Sequence, residues 1–404
     1  MSTKILYTTP VLEYPAAGGP QLRIENSIIA LNKISELHVI SRVPRNKLGG
    51  EDAESFYRQL CRSFCYIPSL KPFSANRYIR KLQQLFRRIT FLNEADFLLA
   101  YAKRHKIDVI WFGYGNISYD LIREIKEKRP LLKVVCDTDS VWSRFILREL
   151  PYTTDPEQKR AIQADGERKE FEERRWVNLC DVTTAVSPVD AEYYQSIAEN
   201  SEKVKLFSNV INLGTYSHAI PVPDGFHKPN FYLAGSFYSL SSPMAQGARW
   251  IIDAVLPLVR KELPDIHFYI IGKGSKEILH DIADPGITIT GRLVSVLPYL
   301  CNADVALVPL AFESGTRFKI LEAAACGIPL VSTTLGAEGI PVSHGFDIHL
   351  ADDAAEFAQG IITVVRDKQY AKLLADNCNK LIQTNYSIDA LEREALEILH
   401  FLKR

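Results

Sequence analysis

VALVPLAFESGTRFKILEAAACGIPLVSTT, residues 305–334, is the stretch from which the fold can be read. Val305–Pro309 is apolar on consecutive positions, as strands are when both faces of a parallel sheet are covered. Leu310–Gly315 reads as a loop, and helical spacing runs from about Thr316 to Ala325. Gly327 and Pro329 close that helix, and Leu330–Thr333 opens the next strand. A strand, a helix and a strand joined so tightly predict a parallel crossover unit. Ligands of such sheets sit where strand ends meet helix N-termini, so the loop before Thr316 is the place to look for one.

The same unit repeats outward along the chain. In the first half the strand-like runs are Lys4–Thr9, Leu37–Ser41, Val109–Gly113, Lys133–Asp137, Val182–Ser187 and Val204–Ser208. In the second they are Phe231–Gly235, His267–Gly272, Ile287–Gly291, Val305–Pro309, Pro329–Thr333 and Asp347–Leu350. Longer amphipathic segments alternate with them, which predicts an α/β fold with two doubly wound parallel sheets of six strands each. Gly214, Pro221, Pro223, Gly225 and Pro229 crowd the span Asn209–Pro229, so the divide is expected there. The expected domains are 1–208 and 209–386. In the remainder, 387–404, Leu391, Ala395, Ile398 and Leu402 stand at helical spacing and are expected to pack back on the first domain.

Bulk properties exclude more than they assign. A chain of 404 residues accommodates two domains. Lys+Arg and Asp+Glu balance at 48 each, which argues against a nucleic-acid partner. Met1–Thr9 lacks the pattern of a secretory signal, and no run approaches the roughly 20 apolar residues that span a bilayer. The seven cysteines are odd in number and scattered; only Cys61 and Cys65 are close, and no partner cluster completes a metal site. Reduced thiols in a cytoplasmic protein are the expectation.

Arg317 and Lys319 stand at the expected start of the helix after Gly315, where the helix dipole disfavours cations by roughly 0.3–1 kcal/mol each. An anion would compensate, gripped by backbone N–H groups of Gly315, Thr316 and Arg317 and by the two cations. Glu322, one turn on, has the reach to accept from both hydroxyls of a ribose. Alternatively it forms a surface i,i+3 pair with Lys319.

Gly315-Thr316-Arg317-Phe318-Lys319-Ile320-Leu321-Glu322-Ala323-Ala324-Ala325-Cys326-Gly327-Ile328-Pro329 resembles the donor site of retaining glycosyltransferases of family 4, the glycogen-synthase-like group, in its Gly-Thr-Arg-x-Lys variant. Gly272-Lys273-Gly274 and Asn302-Ala303-Asp304-Val305 are similar to further motifs of that family. The resemblance implies a GT-B architecture, two Rossmann-like domains facing across a cleft, and transfer of a sugar with retention from a nucleoside-diphosphate sugar to a glycan or lipid-linked acceptor, with no metal and no other cofactor. It implies that Arg317 and Lys319 neutralise the donor diphosphate and that Glu322 holds the ribose. Ser314, Gly315 and Thr316 would approach phosphate and sugar through their backbone, and Gly272, Arg292 and Leu293 would border the base. The chain departs from the commoner pattern at Ser314, where a Glu is usual, with Glu313 offset by one. Between Ser236 and Trp250 only Arg249 stands near the place of the family's usual cations.

In the first half, Gly18 and Gly19 precede an amphipathic helix expected from about Gln21. In family terms this is the loop facing the diphosphate; on its own pattern it is equally a plain strand–helix connection. Arg23 contacts phosphate or is solvated. Asp137 and Asp139 close a strand and resemble the acidic, acceptor-side strand end of the family, the alternative for Asp139 or Ser140 being a helix cap. The basic span 71–106, with Tyr78, Leu82, Leu85, Ile89 and Leu92 at helical spacing, either lies on an anionic membrane or turns its stripe to the core. Two rival readings stand beside this one: a nucleotide-sugar epimerase or a glycan phosphorylase, which keeps the fold and changes the chemistry, and a catalytically silent sugar-nucleotide-binding or scaffold protein.

Overall fold

A computed structural model describes residues 2–16, 18–68, 93–216, 220–315 and 317–404. The expected basic helical span falls outside the described residues as far as position 92. Its described end is the helix Glu94–His105, opened by the Asn93 side chain, which accepts from the Asp96 N–H at 2.9 Å.

Two sheets organise the chain. The first contains β1 (Lys4–Thr9), β2 (Glu36–Ser41), β3 (Ser63–Tyr66), β4 (Val109–Gly113), β5 (Lys133–Asp137), β6 (Val182–Ala185) and β7 (Val204–Leu206). Its order is β3-β2-β1-β4-β5-β6-β7. The second contains β8 (Asn230–Ala234), β9 (His267–Ile271), β10 (Ile287–Ile289), β11 (Val305–Val308), β12 (Leu330–Ser332) and β13 (His349–Leu350), in the order β10-β9-β8-β11-β12-β13. Every pairing is parallel. The expected doubly wound α/β fold is therefore present, with one strand more than expected. That strand, β3, is a four-residue edge strand reading Ser-Phe-Cys-Tyr, too short and too polar to declare itself by an apolar run.

Register carries the pattern into the core. Ile5 on β1 lies between Leu37 and Val109, and Tyr7 between Val39 and Trp111. Strands covered on both faces need apolar residues at successive positions, and β4 is buried at every one. The first sheet carries an apolar cluster on each face; the second is enclosed by one continuous cluster. The helix Ile388–Leu402 returns to the first domain. It inserts Leu391, Ala395, Ile398 and Leu402 beside Ile24 and Ile28, and Lys33 pairs with its Glu392 at 2.5 Å.

In both sheets the strand order reverses between the first and fourth members, β1/β4 and β8/β11. A crevice opens at such a reversal, at the carboxyl ends of the strands. Both crevices meet at the junction between the domains.

Candidate functional site

Two helix starts from different domains converge on this junction. Gly18, at φ 97°, leads into the helix Gly19–Ile34, two residues earlier than expected; no side chain caps it and its first turn holds no acid. A Cβ on Gly19 would stand 2.8 Å from the Phe318 ring. Phe318 opens the helix Phe318–Ala325, which also has no side-chain cap and no acid in its first turn. Each uncapped start projects unpaired N–H groups and about half a positive charge, so the two together favour an anion beside their meeting point.

Lys319 adds a full charge. It lies half-buried in the first turn, with its Cε 3.2 Å from where a Cβ of Gly235 would be. Among the described residues it forms no ion pair with Glu322 within 4.0 Å, so the surface-pair alternative is not what the fold adopts. Glu322 is instead held by Tyr216, whose hydroxyl donates to Oε1 at 3.1 Å. Burial pushes the Glu322 carboxyl above its ordinary range, while Tyr216 and Lys319 pull it down. Nothing in the spacing of the sequence pointed to Tyr216, which lies over 100 residues upstream.

Arg317 corrects its expectation. It is the N-cap residue rather than a residue of the first turn, and is 3% exposed. Its guanidinium donates to the carbonyls of Gly315 and, at 3.5 Å, Leu335, and its Nε lies 3.5 Å from the Glu313 carboxylate. The fork braces the loop from beneath instead of facing outward. Burial lowers its pKa from the usual value, although Glu313, Glu338 and Asp190 favour the charge. Ser314 Oγ and Glu313 Oε2 are buried without hydrogen-bond partners. Gly315, at φ 82°, abuts the first domain, where its missing Cβ would sit 3.0 Å from the Asp139 carbonyl. Thr316 lies outside the described residues.

The Gly-x-Gly turn follows β9. At Gly272, φ 132°, a Cβ would meet the Gly235 carbonyl at 1.9 Å, so only glycine lets the loop after β8 approach this closely. Gly235 and Phe237 N–H groups donate to Ile271 and Lys273 at 2.9 and 2.8 Å. Leu293 packs against the second core, while Arg292 is exposed and bonds Glu13 of the first domain at 3.3 Å. Arg249 pairs with Asp281 on the surface.

On the first domain, Arg23 is neither solvated nor at the junction surface. It is 2% exposed and ion-paired to Asp137, which has no exposed surface; it also donates to the Phe207 carbonyl at 3.0 Å and Asn209 Oδ1 at 2.8 Å. This correction takes Asp137 away from any acceptor. Asp139 remains, half-buried. Its Oδ1 accepts from Asn116 at 2.8 Å and the Trp142 indole at 3.1 Å, and burial pushes its carboxyl up. It caps no helix: the N-cap position of Trp142–Leu147 is Val141. The preceding loop is shaped by Tyr114, a non-glycine residue at φ 55°.

An ionic cluster joins the domains beside Arg317. Arg148 grips Glu338 through both nitrogens at 2.8 Å, and Arg144 lies 3.8 Å from Asp190. Burial lifts the Asp190 carboxyl to about 6 against the pull of Arg144, Ser187 and Arg317. The folded protein thus binds this proton more tightly than the unfolded chain, so the ionised form costs stability that is regained as pH falls from about 6 toward 4. Asp190→Asn is expected to raise stability at pH 7.5 by about 1–3 kcal/mol and to give no gain at pH 4. Urea titrations at both pH values check this; a gain of equal size at pH 4 contradicts it.

No group of three His, Cys, Asp or Glu suited to a metal occurs among the described residues, nor a helix long and apolar enough to cross a membrane. All seven cysteines are free.

Residues 229–367, which include all six strands of the second sheet, match the family model described as Glycosyl transferases group 1. The chain is 25% identical over 208 residues to the UDP-Gal:alpha-D-GlcNAc-diphosphoundecaprenol alpha-1,3-galactosyltransferase of Escherichia coli, covering 48% of this chain and 50% of that one. It is 27% identical over 229 residues to the D-inositol 3-phosphate glycosyltransferase of Paenarthrobacter aurescens (strain TC1), covering 50% and 54%. The chain thus spans about half the length of the curated relatives it matches. Among solved structures, the sucrose-phosphate synthase of Thermosynechococcus elongatus superposes with a TM-score of 0.67 at 17% identity over 99% of both chains. Anabaena Alr3699/HepE in complex with UDP and glucose gives 0.63 at 14% identity over 98% of this chain and 99% of that one. The architecture is GT-B.

Proposed function

We propose that this chain is a glycosyltransferase of GT-B type. It takes a sugar from a nucleoside-diphosphate sugar and passes it, with retention and without a metal, to a hydroxyl of a glycan or lipid-linked acceptor. The observation that carries this reading is the meeting of two uncapped helix starts, at Gly19 and Phe318, beside the half-buried ammonium of Lys319. A diphosphate is an anion whose charge suits that meeting point. The complex of Anabaena Alr3699/HepE with UDP and glucose, and the diphosphoundecaprenol acceptor in the name of the E. coli relative, support the same reading.

In the proposed mechanism the Glu322 carboxylate, oriented by Tyr216, receives the ribose hydroxyls. Gly272, Arg292 and Leu293 border the base. As the bond between sugar and phosphate breaks, charge grows on the leaving diphosphate. Lys319 and the N–H groups near Gly18, Gly19, Ser314, Gly315 and Thr316 stabilise it more in the transition state than in the ground state. Arg317 braces the segment 313–315 through the Gly315 carbonyl and the Glu313 carboxylate. Asp139, its Oδ1 fixed by Asn116 and Trp142, orients an acceptor hydroxyl from the first domain. The proton of that hydroxyl passes to the leaving phosphate, so the step needs no separate protein base.

A panel of nucleoside-diphosphate sugars tested by thermal shift checks the substrate class. The right donor at about 100 times its Kd adds roughly 2.7 kcal/mol of stability, and turnover with acceptor separates an enzyme from a silent binder. Absence of a shift with every member of the panel rejects the reading.

A further inference from the structure

The segment after Asp139 reaches across the domain junction. The helix Trp142–Leu147 is anchored at its start by Glu173, a buried carboxylate on the helix Pro156–Leu179, which accepts from the Ser143 N–H at 3.1 Å and the Ser143 hydroxyl at 2.5 Å. Tyr193 donates to the same carboxylate at 2.6 Å. Gly166 of that long helix leaves room for Leu147, whose Cδ2 would lie 2.3 Å from a Cβ there. The helix is therefore fixed to its own domain at both ends.

From its C-terminal end, Arg148 crosses to the second domain. One nitrogen donates to the Glu313 carbonyl at 2.6 Å, and the two together grip the Glu338 carboxylate. Burial raises the Glu338 carboxyl, but the Arg148 bonds outweigh it and hold the group below its ordinary value. Tyr152 continues the contact: its hydroxyl donates to the Ala311 carbonyl at 3.1 Å and its ring stacks on Phe312 at 5.5 Å. Every one of these second-domain partners belongs to the loop 311–315 or to the loop after β12. The donor loop is thus shaped from the acceptor-side domain as well as by Arg317 beneath it.

We infer that Arg148 is a positioning residue for the reaction proposed above, on which this inference rests: from the acceptor-side domain it sets the 311–315 loop against the transferred sugar. A planar fork meeting a carboxylate and a carbonyl at once is work that a lysine does poorly. The charge of Lys319 and the ribose contact at Glu322 do not depend on Arg148, whereas the N–H groups of Ser314 and Gly315, which act more strongly in the transition state, lie in the loop it holds. Loss of Arg148 is therefore expected to tell on use of the donor more than on its binding.

The test compares wild type with Arg148→Met, Arg148→Lys and Glu338→Gln. Three quantities are read: donor Kd, kcat, and amide hydrogen exchange over residues 311–315. Arg148→Met is expected to lower kcat about 10- to 100-fold while leaving donor Kd within about threefold, and to speed exchange in the loop. Arg148→Lys and Glu338→Gln are expected to fall between, each keeping part of the contact. An unchanged kcat, or a loss confined to donor Kd, overturns the inference. If no nucleoside-diphosphate sugar binds the wild type, the functional reading fails instead, and exchange alone decides the latch: unaltered exchange in Arg148→Met then overturns it.

Discussion

Lys319→Ala is expected to lower kcat/KM about 100- to 1000-fold, the scale of removing one fixed charge-stabilising donor from a transition state. The argument is local. Lys319 stands in the first turn of Phe318–Ala325, where the helix dipole opposes a cation, and among the described residues no carboxylate pairs with it there. A cation kept half-buried in such a place contributes little to folding, so the stability of the variant is expected to stay within about 0.5 kcal/mol of wild type. Steady-state kinetics beside a urea titration separates the two effects. Near-normal turnover, or a loss of activity matched by a loss of fold, contradicts the role. Lys319→Arg does not restore full activity, because a planar fork does not replace a compact ammonium.

Arg23→Met is expected to destabilise the first domain by about 3–5 kcal/mol without touching the donor site. Arg23 is the cation beside Asp137, and both are buried; Thr184 supplies Asp137 Oδ1 with a further hydrogen bond at 2.9 Å. Burial already raises the Asp137 carboxyl, and Arg23 is the leading influence holding it down. Without Arg23 the carboxylate is left in an apolar interior beside Trp111 and Phe207. The double variant Arg23→Met/Asp137→Leu is expected to recover part of the loss, since a buried pair replaced as a unit costs less than a pair broken. Denaturation followed by tryptophan fluorescence checks both; a loss under about 1 kcal/mol in Arg23→Met contradicts the account.

Arg23 and Arg317 mark where the sequence could be read and where it could not. The strands of both sheets were legible because burial on two faces demands consecutive apolar residues, as at Val305–Val308. The helix starts at Gly19 and Phe318 were legible within two residues because glycine and a break in periodicity mark them. What stayed hidden was the direction of long side chains. Arg23 has the spacing of an exposed first-turn residue, yet the sheet behind it supplies Asp137 from 114 positions away. Arg317 has the motif position of a phosphate ligand, yet its fork turns to carbonyls of its own loop. The contacts of Tyr216 with Glu322 and of Arg148 with Glu338 span 106 and 190 positions, and no local pattern encodes either. Edge strand β3 escaped for a different reason, having only Phe64 buried.

The most direct test is a crystal structure of the protein with the nucleoside diphosphate that stabilises it most. The diphosphate is expected beside the contact of Gly19 with Phe318, with an oxygen within hydrogen-bond distance of Lys319 Nζ and the ribose hydroxyls on Glu322. A nucleotide bound anywhere else, with that place filled by water alone, contradicts the account.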